Sequence, residues 1–398
     1  MNEVAVVGIG EDGRAGLDPR ARRLLDAAVT VIGGERHLRL AAPLAARTQS
    51  WASPFEASAE LVRRAARPLV VLASGDPSWY GVARQVRDWL GGEPVEVVPR
   101  PGSVSLACAR LGWPIETVEV VSLHGRPVAA LARWLQRGRR IVVLVRDRTT
   151  GGAVADLLAD HGLGEVPAVL LEDLGGPAER IATVAAVGLG EAARSDLAVI
   201  ALDLTTARHG TPALVPGLAD EQYAHDGQLT KREIRAAALA RLAPCPGERL
   251  WDVGAGSGSV AIEWLRAERS CEAIAIERDP ARAARIAANA ARLGVPALRV
   301  VEGEAPAVLA SLPRPDAVFV GGGTATPGLL ETVWAALPPG GRLVAHAVTV
   351  PAEMVLLGRH AALGGDLVRL AVERVERIGG IAAWRPALPV TQLVQVKP

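Results

Sequence analysis

One stretch constrains this chain more than any other. The apolar run Leu250-Trp-Asp-Val253 opens directly into Gly254-Ala-Gly-Ser-Gly258, and helical spacing follows from Val260 to Arg266. A buried strand that breaks into glycines and then into a helix is the first turn of a strand–helix–strand unit in an α/β sheet. Glycines let the backbone approach a ligand closely, and the amides at the helix start form a ready anion site. The next apolar run ends in Glu277. An acid there is placed to accept two ribose hydroxyls through charge-assisted bonds worth roughly 1.5–3 kcal/mol each, and it repels a 2′-phosphate.

The same alternation runs along the whole chain. In the second half, Leu229-Thr-Lys-Arg-Glu233 predicts a helix to about Leu242, with Thr230 capping it and Glu233 returning the bond. Strands are expected at Arg249–Val253, Ala273–Glu277, Leu298–Glu302, Ala317–Val320, Arg342–Ala347, Asp366–Val375 and Thr391–Val396. The last two lie too close for a crossover helix, so the parallel sheet is expected to end in an antiparallel strand. The first half predicts strands near Glu3–Val7, Val29–Ile32, Leu69–Ala73, Val95–Val98, Val118–Ser122, Ile141–Val145, Ala168–Leu171 and Leu197–Leu202. At 398 residues two domains are the natural expectation. The Pro- and Gly-rich stretch after Leu204 reads as a linker, which divides the chain into 1–204, a linker 205–226, and 227–398.

Composition excludes several classes. The formal net charge of +1 creates no field that draws a protein to nucleic acid or an anionic membrane. The best apolar windows, Ile181–Ala201 and Leu343–Leu357, are broken by charges and by Pro351, so no membrane span is expected. Met1 leads straight toward the strand-like Val4-Ala-Val-Val7 without a basic segment, and a cytoplasmic chain is expected. Cys108, Cys245 and Cys271 lie far apart with no ligand spacing, so neither a metal site nor a disulfide framework is expected. Of the 44 basic residues, all but Lys231 and Lys397 are arginine. That bias reflects either genome composition or a need for forks that bind carboxylates bidentately.

Two ligand classes use a glycine turn and a second-strand acid: nicotinamide dinucleotides and S-adenosylmethionine (SAM). The G-x-G-x-G spacing favours SAM, as does Asp252 before the loop, where it can hold the loop and the ligand's amino group. Glu302-Gly-Glu-Ala305 also stands where class I methyltransferases carry an adenine contact, which adds Glu304 to the set. Three segments together resemble the decarboxylating precorrin methyltransferase domain of cobalamin biosynthesis. They are His225-Asp-Gly-Gln-Leu-Thr-Lys-Arg-Glu233, Trp251-Asp-Val-Gly-Ala-Gly-Ser-Gly-Ser-Val260 and Phe319-Val-Gly-Gly-Gly323, and the resemblance spans nearly all of 220–398. It implies a seven-stranded Rossmann-like fold, with SAM held by Thr230, Gly254, Ala255, Gly256, Ser257, Gly258, Glu277 and Ala305. The sequence departs from the family in having Glu where Asp is frequent, at Glu277 and Glu304, and in the turn Gly321-Gly-Gly-Thr324.

In the first half Gly8-Ile-Gly-Glu-Asp-Gly13 formally matches a dinucleotide loop. The helix is delayed, however, to a cap near Asp18 with Pro19 in its first turn, which weakens that reading. Val4-Ala-Val-Val-Gly-Ile-Gly10, Ala73-Ser-Gly-Asp-Pro77, Pro101-Gly-Ser103 and Val121-Ser-Leu-His-Gly-Arg126 instead resemble the tetrapyrrole (class III) methyltransferases over 1–204. The last segment is similar to the branch that methylates carbon 5 of precorrins. The resemblance implies two α/β subdomains with SAM in the cleft between them, contacting Ser74, Gly75, Asp76, Ser103, Leu123, His124 and Val145. Locally, Asp76 also reads as a turn residue, His124 as a hydrogen-bonded loop histidine, and Arg126 as a surface charge or a carboxylate clamp.

The fusion of the two halves implies two SAM sites acting on a tetrapyrrole (precorrin) substrate. Carbon 5 would be methylated by the first half, and carbon 15 by the second, with loss of carbon dioxide from the ring C acetate to give precorrin-8. A cobalt-containing substrate is the close alternative, and a nucleic-acid methyltransferase the distant one. No nucleophile–base triad is evident, while Arg126, Arg146, Arg232 and Arg235 beside the motif segments are candidate carboxylate clamps. By analogy with both families a homo-oligomer, dimer or tetramer, is expected.

Overall fold

The computed structural model describes residues 3–398. They resolve into two compact units, one running to Val128 and resuming at Arg137–Gly210, the other comprising Ala129–Gln136 and Thr211–Pro398.

The first unit is built on two five-stranded sheets. One contains β1 (Val4–Ile9), β2 (Thr30–Gly33), β3 (Arg47–Ser50), β4 (Leu69–Ser74) and β5 (Val95–Val98) in the order β3-β2-β4-β1-β5, all parallel. Every residue of β1 is buried, as a parallel strand covered on both faces requires. Val4 and Val6 pack on one side, Ala5, Val7 and Ile9 on the other. The second sheet contains β6 (Val118–Ser122), β7 (Arg140–Leu144), β8 (Pro167–Glu172), β9 (Arg180–Ala185) and β10 (Ala198–Asp203) in the order β6-β7-β10-β8-β9. Only β6 and β7 are parallel there. After β1 the chain makes a single 3₁₀ turn at Gly13–Gly16, and the first α-helix begins at Pro19, where Asp18 accepts a hydrogen bond from the Ala21 amide at 2.8 Å. The dinucleotide geometry is therefore absent.

The second unit carries β11 (Arg249–Val253), β12 (Glu272–Glu277), β13 (Arg299–Glu302), β14 (Ala317–Val320), β15 (Arg342–Ala347), β16 (Asp366–Leu370), β17 (Glu373–Ile378), β18 (Ile381–Pro386) and β19 (Val390–Val396). Seven of them form one sheet, β13-β12-β11-β14-β15-β19-β16. The five strands β11–β15 are parallel, and β19 runs antiparallel between β15 and β16. The order reverses between β11 and β14, and ligands of open α/β sheets bind at such a switch point, beyond the carboxyl ends of the strands.

Two expectations are corrected here. The single strand expected over Asp366–Val375 stops at Leu370, and the chain folds into a separate β17–β18 hairpin closed by Gly379-Gly380, both at positive φ. Thr230 does not cap the next helix. That helix, Arg232–Leu242, has Lys231 at its N-cap position, one residue later, with no side-chain cap, and Glu233 pairs with Arg374 instead. Part of the stretch 205–226, expected as a linker, packs on the second unit. Leu218 and Tyr223 are buried in the second unit's core, and Glu263 accepts the amides of Gly217 at 2.6 Å and Leu218 at 3.1 Å. A proline- and glycine-rich stretch lacks periodicity whether it is loose or pinned, and here a buried carboxylate pins it.

Candidate active sites

In the second unit, the carboxyl ends of β11, β12, β13, β14 and β15 surround a cavity of about 680 Å³, a volume suited to a small-molecule ligand. Gly254, Ala255 and Gly256 line it, with Glu277, Gly303, Glu304 and Ala305 on one side and Gly321-Gly-Gly323 on the other. Gly254 has φ +69°, and a Cβ there would lie 2.9–3.0 Å from the backbone of Gly322, so the loops after β11 and β14 touch. Only glycine fits. The Glu277 carboxylate accepts the amides of Gly256 at 2.8 Å and Asp279 at 3.1 Å. Those two bonds orient it and use half of its roughly four lone-pair sites, leaving the rest for a ligand's hydroxyls.

Thr230 lines this cavity despite failing as a cap. Asp252, Ser257 and Gly258 do not line it. Alternation along β11 explains Asp252: Trp251 and Val253 belong to one core layer and Leu250 to the other, so Asp252 points with Leu250 under the helix Ser259–Ala267. There it accepts the Ala261 amide at 3.0 Å, its second oxygen has no partner, and burial pushes its pKa up to about 7. It ties β11 to the helix that follows the glycine loop. Gly258 is set by packing, since a Cβ would lie 2.6 Å from Ile286.

The arginine expectations divide. Arg235 is fully buried, donating to Glu263 at 2.6 Å and to the carbonyls of Thr230 and Leu218, and cannot meet a substrate. Arg232 is exposed and outside the lining. Sequence reasoning missed Lys231, Arg278, Arg282, Arg374 and His346, all of which line the cavity.

In the first unit, a second cavity of about 690 Å³ lies between the two sheets. Ser74, Gly75, Asp76, Ser103, His124 and Val145 line it, whereas Leu123 is buried away from it, its amide bonded to the Leu144 carbonyl at 2.9 Å. A Cβ on Gly75 (φ +50°) would lie 2.6 Å from Gly102 Cα, and one on Gly8 would lie 1.9 Å from the Gly75 carbonyl oxygen. The first-half glycines thus serve close approach between loops. Asp76 accepts the Ser78 amide at 2.8 Å and hydroxyl at 2.6 Å, so it forms a turn while facing the cavity. Arg146 lines the cavity and donates to Asp147 at 2.8 Å. Arg126 lies outside the lining, over the ring of Tyr80 at 5.9 Å.

Arg36 and His37 are among the lining residues that were not anticipated. Arg36 donates to Ser74 Oγ at 2.7 Å, and His37 Nε2 lies 2.8 Å from the same oxygen. Burial holds the His37 pKa down to about 4, with the neighbouring Arg36 charge adding to the effect. Both follow Gly33-Gly34 at the end of β2, a glycine pair that could have drawn notice.

Comparison with known proteins divides the chain similarly. Residues 3–189 match the family described as Tetrapyrrole (Corrin/Porphyrin) Methylases, and residues 221–397 match the Precorrin methyltransferase domain. A precorrin-6Y C(5,15)-methyltransferase [decarboxylating] of Sinorhizobium sp is 47% identical over 98% of this chain and 95% of its own. The protein of that name in Mycobacterium tuberculosis is 42% identical over 98% of both. The chain belongs to the decarboxylating precorrin-6Y C(5,15)-methyltransferase family. A shorter relative of that family, the cobalt-precorrin-6B C(15)-methyltransferase (decarboxylating) of Salmonella typhimurium, is 34% identical over 41% of this chain and 85% of its own. Family membership accounts for the two unlike architectures in one chain.

Among the described residues no group of His, Cys, Asp and Glu could hold a metal ion, and no helix is long and apolar enough to cross a membrane.

Proposed function

We propose that this chain binds two molecules of SAM, one per unit, and methylates precorrin-6Y at carbons 5 and 15. It also removes the ring C acetate carboxylate, giving precorrin-8 in aerobic cobalamin biosynthesis. The observation that carries this reading is the pair of glycine-walled cavities of nearly equal volume on unrelated sheets. Residues 1–204 act at carbon 5, and residues 227–398 act at carbon 15 and decarboxylate. The Salmonella relative, named for carbon 15 methylation with decarboxylation, supports that split because it is little longer than one such domain.

SAM supplies an electrophilic methyl group. Glu277, Gly254, Gly256 and Ala305 line its site in the second unit, and Ser74, Gly75, Asp76 and Ser103 line its site in the first. Methyl transfer to an electron-rich meso carbon needs chiefly in-line positioning, worth up to roughly 7–11 kcal/mol in ideal cases. Lys231, Arg278, Arg282 and Arg374 in one cavity and Arg36, Arg100 and Arg146 in the other are the lining cations, each paired with a carboxylate of the chain that a substrate carboxylate would share or replace. Val348, Val372, Leu388 and Val390 form an apolar wall. A carboxylate held there is desolvated, which favours its departure as neutral carbon dioxide, while the conjugated macrocycle takes up the electron pair.

The protein acts in the cytoplasm as a homo-oligomer, dimer or tetramer. The exposed stripe Val350, Met354 and Leu357 on the helix Val350–Leu363 supports association, and light scattering checks it. The function itself is tested by incubating the full chain with SAM and precorrin-6Y and following the product by mass spectrometry. Two added methyl groups with one lost carbon dioxide are expected. Turnover of a cobalt-containing precursor alone would overturn the metal-free substrate, and the absence of methylation would overturn the whole reading.

A further inference from the structure

The half of the second unit's cavity beyond the glycine loops is walled by the ends of β14, β15 and β19, and His346 stands in it on β15. Its cross-strand partner is Gln392 of β19. Their side chains meet, His346 Nε2 lying 2.9 Å from Gln392 Oε1, and Phe319 packs edge-on against the imidazole with ring centres 4.9 Å apart. Thr324 donates to the His346 carbonyl at 2.6 Å and ties this strand end to the loop after β14. With the amide oxygen accepting, the ring keeps its proton on Nε2, and Nδ1 meets no hydrogen-bond partner among the described residues. Burial holds the His346 pKa down to about 4, so the ring is neutral at neutral pH.

The other ionisable groups of the lining are committed. Glu277 is tied by two amides, Glu304 pairs with Arg278 at 3.5 Å, Arg282 with Asp226 at 2.8 Å, Arg374 with Glu233, and Lys231 with Asp220 at 3.6 Å. The lining contains no other imidazole.

We propose that His346 carries the proton that the decarboxylating methylation must relocate, an inference that rests on the function proposed above. Loss of carbon dioxide breaks a C–C bond and leaves its electron pair on the former acetate carbon, delocalised into the macrocycle. Methyl transfer forms a C–C bond from that delocalised pair at the meso carbon, which then bears both hydrogen and methyl. The carboxylate's negative charge and the sulfonium's positive charge cancel, so the macrocycle is neutral. Its meso carbon holds one hydrogen too many for full conjugation, and the former acetate carbon one too few for a methyl group. The meso C–H bond breaks as an N–H bond forms at Nδ1, its electron pair entering the macrocycle. That N–H bond then breaks as a C–H bond forms at the other carbon, and the imidazole ends neutral. No external acid or base is consumed.

The test uses the full chain with SAM and precorrin-6Y. His346→Asn is expected to keep the wild-type Kd for SAM within about threefold by calorimetry and to lose roughly 10²–10⁴-fold in the rate of final product. In D2O the wild type is expected to place less than one deuterium in the new ring C methyl, because the proton is passed internally, while the variant places a full one from solvent. Added imidazole is expected to restore turnover to His346→Gly, which a structural role would not allow. Should His346 variants fail to fold, Gln392→Leu keeps the ring but frees its tautomer. It is expected to show the same isotope change with unaltered SAM binding. Wild-type rates and isotope content in the variant that folds would overturn the assignment while leaving the proposed function intact. If the wild type itself releases no carbon dioxide, the failure lies in the function.

Discussion

Replacing Arg235 by Met separates a structural arginine from a substrate clamp. The Arg235 side chain is 0% exposed and its partner Glu263 2%. Its guanidinium donates to Glu263 at 2.6 Å, to Asp220 at 3.3 Å, and to the carbonyls of Thr230 and Leu218. Removing one partner of a buried ion pair costs about 3–5 kcal/mol. The lower end applies here, because Glu263 keeps the amides of Gly217 and Leu218 and the hydroxyl of Tyr223. For a unit of this size each kcal/mol shifts the midpoint by about 2–4 °C, so a loss of roughly 6–12 °C is expected. Calorimetric melting of the full chain reads it, with Arg146→Met, an exposed arginine, as the control expected to melt within about 1 °C of wild type. An unchanged Tm for Arg235→Met together with a raised substrate KM would refute the reasoning and return Arg235 to the clamps.

Glu277→Ala removes a carboxylate that offers two charge-assisted bonds, so SAM affinity at the second unit is expected to fall roughly 10²–10⁴-fold; less than threefold in a calorimetric titration would count against the site. Asp252 has a folded-state pKa of about 7, above its unfolded value, so its contribution to stability is lost as pH rises from about 4 to 7. Asp252→Asn is therefore expected to melt like the wild type near pH 4 and above it at pH 8, by at most about 4 kcal/mol; equal midpoints at pH 8 would contradict this. Trp79 and Tyr80 stand exposed at the rim of the first cavity, Tyr80 at φ +51°, a conformation costly for a bulky residue. Trp79→Ala is expected to raise the KM for the tetrapyrrole at least several-fold at unchanged SAM affinity, which initial rates of carbon 5 methylation would show.

Much of the fold was legible because α/β strands are written as short apolar runs, and the Asp252–Gly258 loop lies at the switch point where such folds bind ligands. Asp18-Pro19 correctly placed the first helix too late for a dinucleotide loop. What stayed hidden depends on long-range partners. Arg235 and Arg146 look alike in sequence, and only Glu263, far along the chain, separates them. Asp252 sits beside the glycines, yet strand alternation turns it away from the cavity, a period-two argument that Leu250-Trp-Asp-Val253 already contained. The β17–β18 hairpin had its signal in Gly379-Gly380 between two runs with strand character. The segment Ala129–Gln136 joins the second unit through Arg133, which donates to the Arg266 carbonyl at 2.8 Å, and no local pattern announces that. His346 did leave a trace: a lone imidazole inside the apolar run Leu343-Val-Ala-His-Ala347.

On the proposed function, two unlike methyl-transfer sites in one chain serve one tetrapyrrole, with decarboxylation belonging to the second. Methyl-labelled SAM and precorrin-6Y, incubated with the full chain and with Glu277→Ala at SAM concentrations below that variant's Kd, test it in one mass spectrum. The wild-type product is expected to carry two labelled methyl groups and to lack one carboxyl, and the variant product to carry one labelled methyl and to retain the carboxyl. A Glu277→Ala product that still loses carbon dioxide, or that carries both labels, would contradict the account.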